Sequence, residues 1–223
     1  MMPAHARLHP ALISCLLSLL TLSACAPMTI FQEAQLVRKG ADKVGFGGTA
    51  AAPLEPDTRF DPDGGLTSTA RKKQPDLQFI PLPALTGWIR RGTGWGEHQA
   101  SVSLPSFIIT LATKVGLFGR KQGSALAMSI SGEINFSPVT GTMTAGATLL
   151  FSASVGEGVS LDLSSRVGNF AGLWLGLGVA PTVGLSLDLA NGARLHLGVG
   201  GNLPTGVGPS PATAWIYAGA TLK

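Results

Sequence analysis

The chain has 223 residues, a formal net charge of +4 and an apolar share of 45%, yet only 13% of its residues are charged, about half the usual share of roughly 25%. Glycine, at 30 residues, exceeds its usual share of about 7%, and the charge is concentrated between residues 25 and 81 and sparse from 82 to 223. A soluble domain needs a charged surface, so composition argues against an ordinary cytosolic enzyme, a disordered chain and a nucleic-acid binder, whose basic residues would cluster and interleave with aromatics.

Met1 to Pro10 carries Arg7, and Ala11 to Leu22 is an apolar run, too short for the roughly 20 residues of a spanning helix. With the small residues that follow, these make a secretory signal peptide over 1–24. Leu22-Ser23-Ala24-Cys25 resembles the bacterial lipobox, in which the cysteine is acylated and becomes the mature N-terminus. Thioether formation needs a thiol, and small residues before it admit the peptidase. Cys25 is therefore the expected lipidation site, with palmitate-like acyl chains. Ala26, where an aspartate would signal inner-membrane retention, implies by resemblance to lipoprotein sorting rules delivery to the outer membrane. Cys15 lies in the discarded run, so the mature chain is expected to form no intramolecular disulfide and to hold no zinc in a thiol cluster.

Residues 25–42 form a lipidated N-terminal segment, in which Phe31 to Lys39 predicts one short helix ended by Gly40. Lys43 to Ala52 predicts a strand with Val44 and Phe46 on one face. Residues 53–83 are rich in proline and contain the turn cluster Asp61-Pro62-Asp63-Gly64-Gly65 and the run Arg71-Lys72-Lys73. They read as a long polar loop, its basic run balanced by Asp57, Asp61, Asp63 and Asp76 and solvated.

From Ala84 onward apolar and small polar residues alternate strictly. Ile109, Leu111, Val115 and Leu117 oppose Thr110, Ala112, Lys114 and Gly116. Leu126, Met128, Ile130, Ile134 and Phe136 oppose Ala127, Ser129, Ser131, Glu133 and Asn135. The same holds for Met143, Leu149 and Phe151 against Thr144, Thr148 and Ser152, for Leu161 and Leu163 against Asp162 and Ser164, and for Leu195, Leu197 and Val199 against Arg194, His196 and Gly198. Period two is a strand signature and excludes amphipathic helices. Turn residues separate the runs, with Asn191-Gly192 the clearest hairpin signal. Leu173 to Leu189 keeps one phase through Pro181, which favours one interrupted strand over two short ones. The strands predicted are 43–52, 84–92, 97–104, 107–117, 124–136, 142–154, 158–167, 172–189, 193–201 and 213–222. They give about ten, within a range of 8–12.

Such a chain has two solutions. A soluble lipocalin-like barrel or sandwich turns its apolar face inward, whereas a membrane barrel turns it to lipid and lines its lumen with the small polar face. Lys114, Glu133, Asp162, Arg166, Asp188 and Arg194 all fall on the polar phase, which either solution requires. The rest of that phase is mainly Ser, Thr, Gly and Ala, where a water-exposed face would carry many Lys, Glu and Gln. Strand lengths also match the roughly 9–11 residues needed to cross a bilayer. Phe107, Phe118, Phe136, Phe170, Trp215 and Tyr217 lie near strand ends, where they either form interface girdles or simply pack at the barrel ends.

On Cys25 and the repeating hairpins from about residue 84, or from 43, the sequence resembles the small lipid-anchored outer-membrane β-barrel proteins of Gram-negative bacteria. It differs in ending on Leu222-Lys223, where such barrels often finish on an aromatic residue. The expected fold is all-β, an antiparallel up-and-down transmembrane β-barrel over 43–223. The expected role is a structural one in the envelope or a narrow, porin-like small-solute passage, with the six charges of the polar phase as a lumen network. Expected partners are membrane lipid, through acylated Cys25 and the barrel exterior, the outer-membrane assembly machinery and the lipoprotein-sorting machinery; no nucleic-acid partner is expected. The alternative is a lipid-anchored soluble barrel whose apolar interior binds a hydrophobic ligand.

No enzymatic activity, cofactor or metal is expected. Gly201-Asn202-Leu203-Pro204-Thr205-Gly206 is followed by Val207-Gly208, where a P-loop needs Lys and Ser or Thr. No metal-ligand spacing occurs. His196 shares a face with Arg194 and would approach Asp162 or a strand serine; a lumenal hydrogen-bonded histidine is the favoured reading over a Ser-His-Asp centre.

Overall fold

The computed structural model describes residues 33–53, 84–119, 124–139, 141–169, 177–204 and 213–222. The alternating runs become β1 (Asp42–Pro53), β2 (Ala84–Gly92), β3 (Gly96–Leu104), β4 (Ile108–Phe118), β5 (Leu126–Ser137), β6 (Thr142–Gly156), β7 (Val159–Asn169), β8 (Leu177–Asp188), β9 (Arg194–Pro204) and β10 (Thr213–Leu222). Each strand pairs antiparallel with its sequence neighbours, and β1 closes on β10 from Val44↔Leu222 to Pro53↔Thr213. The result is a closed ten-stranded up-and-down barrel. Closure leaves no sheet edge. Among the described residues there is no helix. The expected signal peptide at 1–24, the expected lipidation site Cys25, residues 54–83 of the polar loop predicted over 53–83, and Phe170 lie outside the described residues; Pro53 ends β1.

The apolar phase faces outward. Leu111 is 61% and Met143 69% exposed, while Ser129 and Ser131 on the opposite phase are 0% exposed. A soluble barrel would show the reverse, so the solution with an apolar interior for a hydrophobic ligand is not the one adopted. Pro181 sits inside one continuous β8, paired with Ser165 on the β7 side. On the β9 side the register passes from Val179↔Leu203 to Thr182↔Gly200, leaving Pro181 out. A proline has no N–H to give to the ladder, and only one neighbour misses it.

The ends of the barrel differ. At one end β2 and β3, β6 and β7, and β8 and β9 are joined by the short turns 93–95, 157–158 and 189–193, β4 ends and β5 begins, and both β1 and β10 present their outer termini. At the other end β1, β3, β5, β7 and β9 finish and β2, β4, β6, β8 and β10 begin.

The aromatics divide between girdle and inward packing. Phe107, Phe118 and Phe136 are exposed near strand ends, as a girdle requires, but Trp215 is 4% exposed and Tyr217 shares its inward phase. Glycines on adjacent strands make room for these rings. Trp88 stands opposite Gly45, Trp215 opposite Gly200 and Tyr217 opposite Gly198. A Cβ on Gly200 would lie 2.7 Å from Trp215, and one on Gly198 2.5 Å from Tyr217. The phase was the available signal, because Trp215 and Tyr217 alternate with Ile216 and Ala218 and fall in step with Gly219 and Thr221.

Candidate functional site

The lumen is a polar core of ion pairs and hydroxyls. Lys114, Glu133, Asp162, Arg166, Asp188 and Arg194 all face it, but they do not form one network. Arg166 Nε donates to Glu133, and both residues are buried; Asn135 Nδ2 adds a 3.3 Å hydrogen bond to the same carboxylate. Arg194 reaches Asp188 at 3.2 Å, toward the short-turn end. Asp162 pairs with hydroxyls rather than a base: Ser152 donates to it at 2.5 Å and Ser186 donates to its other oxygen. Lys114 joins none of the other five. It pairs at 3.0 Å with Glu97, which also lies 3.9 Å from Arg90.

Glu97 and Arg90 were missed by the sequence reading, although both alternate in step with lumen residues, Arg90 with Thr86 and Glu97 with Ser101 and Ser103. Their burial, 1% for Glu97 and 2% for Arg90, is affordable only because each is paired and hydrogen-bonded. Arg90 Nε donates to Gln99 Oε1 at 3.1 Å, and its guanidinium stands 5.6 Å from the Trp88 ring.

The other unforeseen part is the segment before β1. The predicted helix over 31–39 is absent across its described residues. Glu33 to Lys39 instead cross the inside of the barrel at its short-turn end, with Glu33, Ala34, Leu36 and Val37 all buried. Side chains of distant strands hold this plug by its main chain. Ala34 N donates to Ser152 Oγ at 2.9 Å, and Val37 N to Glu97 Oε2 at 2.8 Å. Lys114 Nζ donates to the carbonyls of Glu33 at 2.9 Å and Gln35 at 3.1 Å. These bonds stand in for the ones a helix would have made internally, as buried backbone groups require. The exit into β1 passes over Gly92, where any Cβ would strike the carbonyls of Val37 and Arg38. It turns at Gly40, whose φ of 76° favours glycine.

Glu33 also supplies a carboxylate to the lumen, 3.4 Å from Arg194 and 3.9 Å from His196. Burial would raise its pKa, but Arg194, then Lys43, His196 and Arg90, outweigh burial and hold the carboxyl below its ordinary value.

His196 is buried between hydroxyls, with Nδ1 at 2.8 Å from Ser186 Oγ and Nε2 at 2.9 Å from Thr221 Oγ1. The order is Asp162–Ser186–His196–Thr221. A hydroxyl nucleophile needs the imidazole between itself and the orienting carboxylate, and here Ser186 occupies the position between His196 and Asp162. The geometry is that of a hydrogen-bonded lumenal histidine. No group of metal-ligating side chains occurs among the described residues. No family model matches the sequence, and no curated protein matches it significantly.

Proposed function

We propose that the chain is an outer-membrane lipoprotein of a Gram-negative bacterium, held by acylated Cys25 and by a membrane-embedded barrel, with a structural role in the envelope. The observation that carries this reading is the outward apolar face. Leu85, Ile109, Leu111, Ile134, Met143, Val199 and Ile216, from six different strands, are each at least 40% exposed, and a water-facing wall of this kind would be an aggregation site. Lipid is the solvent that makes it favourable, since a lipid-facing charge costs roughly 2–4 kcal/mol at midplane and the charges in the strand interiors turn inward. The short turns and both strand termini at one end fit the periplasmic end of such barrels. Assembly and lipoprotein-sorting machineries are the implied partners.

Replacing Cys25 by Ala while keeping a cleavable signal peptide separates the two anchors. The Cys25→Ala chain is expected to stay in outer membranes washed with alkaline carbonate; recovery in the soluble periplasmic fraction would refute embedding by the strands. The reading includes no enzymatic activity. His196→Ala is accordingly expected to leave lipid A and phospholipid profiles unchanged, and an altered profile would count against it.

A second reading, a narrow passage for small solutes, is favoured by one observation. Away from the plug, lumenal Ser164, Thr182 and Tyr217 are half-buried rather than sealed.

A further inference from the structure

We propose that the segment Glu33–Lys39 is a removable gate and that the passage it closes selects small anions. The inference rests on the membrane-barrel reading above.

The gate is built from contacts of a reversible kind. Its main chain is held by Ser152, Glu97 and Lys114, and only Ala34, Leu36 and Val37 give it an apolar body. Each clamping side chain belongs to a different strand of the wall, so the segment can leave without unpairing any strand. Among the described residues its backbone bridge to the sheet joins Lys39 and Gly92, beside the turn at Gly40, which serves as the pivot, and Gln35 Nε2 adds a side-chain hydrogen bond to the Ser124 carbonyl at 3.1 Å.

The selectivity follows from the charges left behind. With the gate in place, Glu33 neutralises Arg194, and the carbonyls of Glu33 and Gln35 occupy the Lys114 ammonium. With the gate withdrawn, the four cations Lys43, Arg90, Lys114 and Arg194 at the short-turn end face the three carboxylates Glu97, Asp162 and Asp188 among the described residues, which leaves one positive charge in excess. Lys43 stands opposite Arg90 in the β1–β2 register, on the lumen side. Rings of Lys and Arg are what anion-selective pores present to permeating ions. Farther along the lumen Glu133 and Arg166 cancel one another, so the excess at the gated end sets the preference.

The test uses the full lipidated chain in planar bilayers in asymmetric potassium chloride. Two variants are compared with it: deletion of 33–39, and Ser152→Ala with Leu36→Ser, which loosens a clamp and the apolar body of the plug without shortening the chain or removing any of the four cations. Heat-dependent gel migration and carbonate washing are read first, to score folding and embedding. The intact chain is expected to conduct little, and both variants on the order of tenfold more, with reversal toward the chloride equilibrium potential. Arg194→Glu in the deletion background is expected to weaken or invert that preference. Folded, embedded variants that conduct no better than the intact chain would overturn the gate while leaving the membrane reading intact. Should the deletion variant fail to fold, the clamp variant alone decides. Conductance with cation preference would overturn the anion assignment. Release of the intact chain by carbonate would remove the membrane reading and this proposal with it.

Discussion

Arg166→Met is expected to destabilise the folded barrel by about 3–5 kcal/mol, the usual cost of leaving one partner of a buried ion pair uncompensated. Glu133 is 4% exposed and Arg166 5%, so neither charge can turn to water without opening the wall. Asn135 donates to Glu133 Oε1 but brings no charge. The guanidinium also lies over Gly146, where a Cβ would come within 2.9 Å of Nη2, so its removal leaves a void as well. Glu133→Gln combined with Arg166→Met removes both charges and is expected to recover most of the loss. Urea unfolding in detergent micelles, followed by tryptophan fluorescence, measures both variants. Equal destabilisation of the single and double variants would show that packing, not charge, is what the pair contributes.

The second large effect is expected from Gly45→Val. A Cβ on Gly45 would overlap the Trp88 indole, and the three nearest atoms are all in that ring. Overpacking of this kind costs about 1–3 kcal/mol and occasionally more. Since the obstacle is one side chain, the penalty is expected to disappear when Trp88 is already Ala. A double-mutant cycle reads this coupling directly. Additive effects of Gly45→Val and Trp88→Ala would mean that Gly45 is needed for its backbone rather than for the room it leaves. Gly198 makes a useful contrast. There a Cβ would meet the carbonyl of Val183 as well as Tyr217, so Tyr217→Ala is expected to relieve only part of the strain of Gly198→Val.

The strands and their faces were legible because side chains in a strand alternate with a fixed period of two, and this chain keeps the phase even through Pro181. The choice between an inward and an outward apolar face was legible only from what fills the other phase, the Ser, Thr and Gly that can crowd a lumen. The plug was not legible. Leu36 and Val37 among polar neighbours look like the start of an amphipathic helix, and what decides otherwise is Ser152, Glu97 and Lys114, each far away in sequence. Pairing within the lumen was hidden for the same reason: Lys114 and Glu97 meet because β3 and β4 are in register at Glu97↔Lys114, which composition does not reveal. For Trp215 and Tyr217 nearness to a strand end does not separate an outward girdle from inward packing; their phase, shared with Gly219 and Thr221, does.

The plug also orders events in time. Its hydrogen bond from Ala34 to Ser152 spans 118 positions and that from Val37 to Glu97 spans 60, and its ion pair needs Arg194 on β9. The part of the plug synthesised first therefore acquires its last partner only when nearly the whole chain exists. Contacts of such high order form late and slowly. Burial of Glu33, Ala34, Leu36 and Val37 thus reports completion of the ring, and until then the clamping carboxylate, ammonium and hydroxyl remain hydrated inside an open, curling sheet.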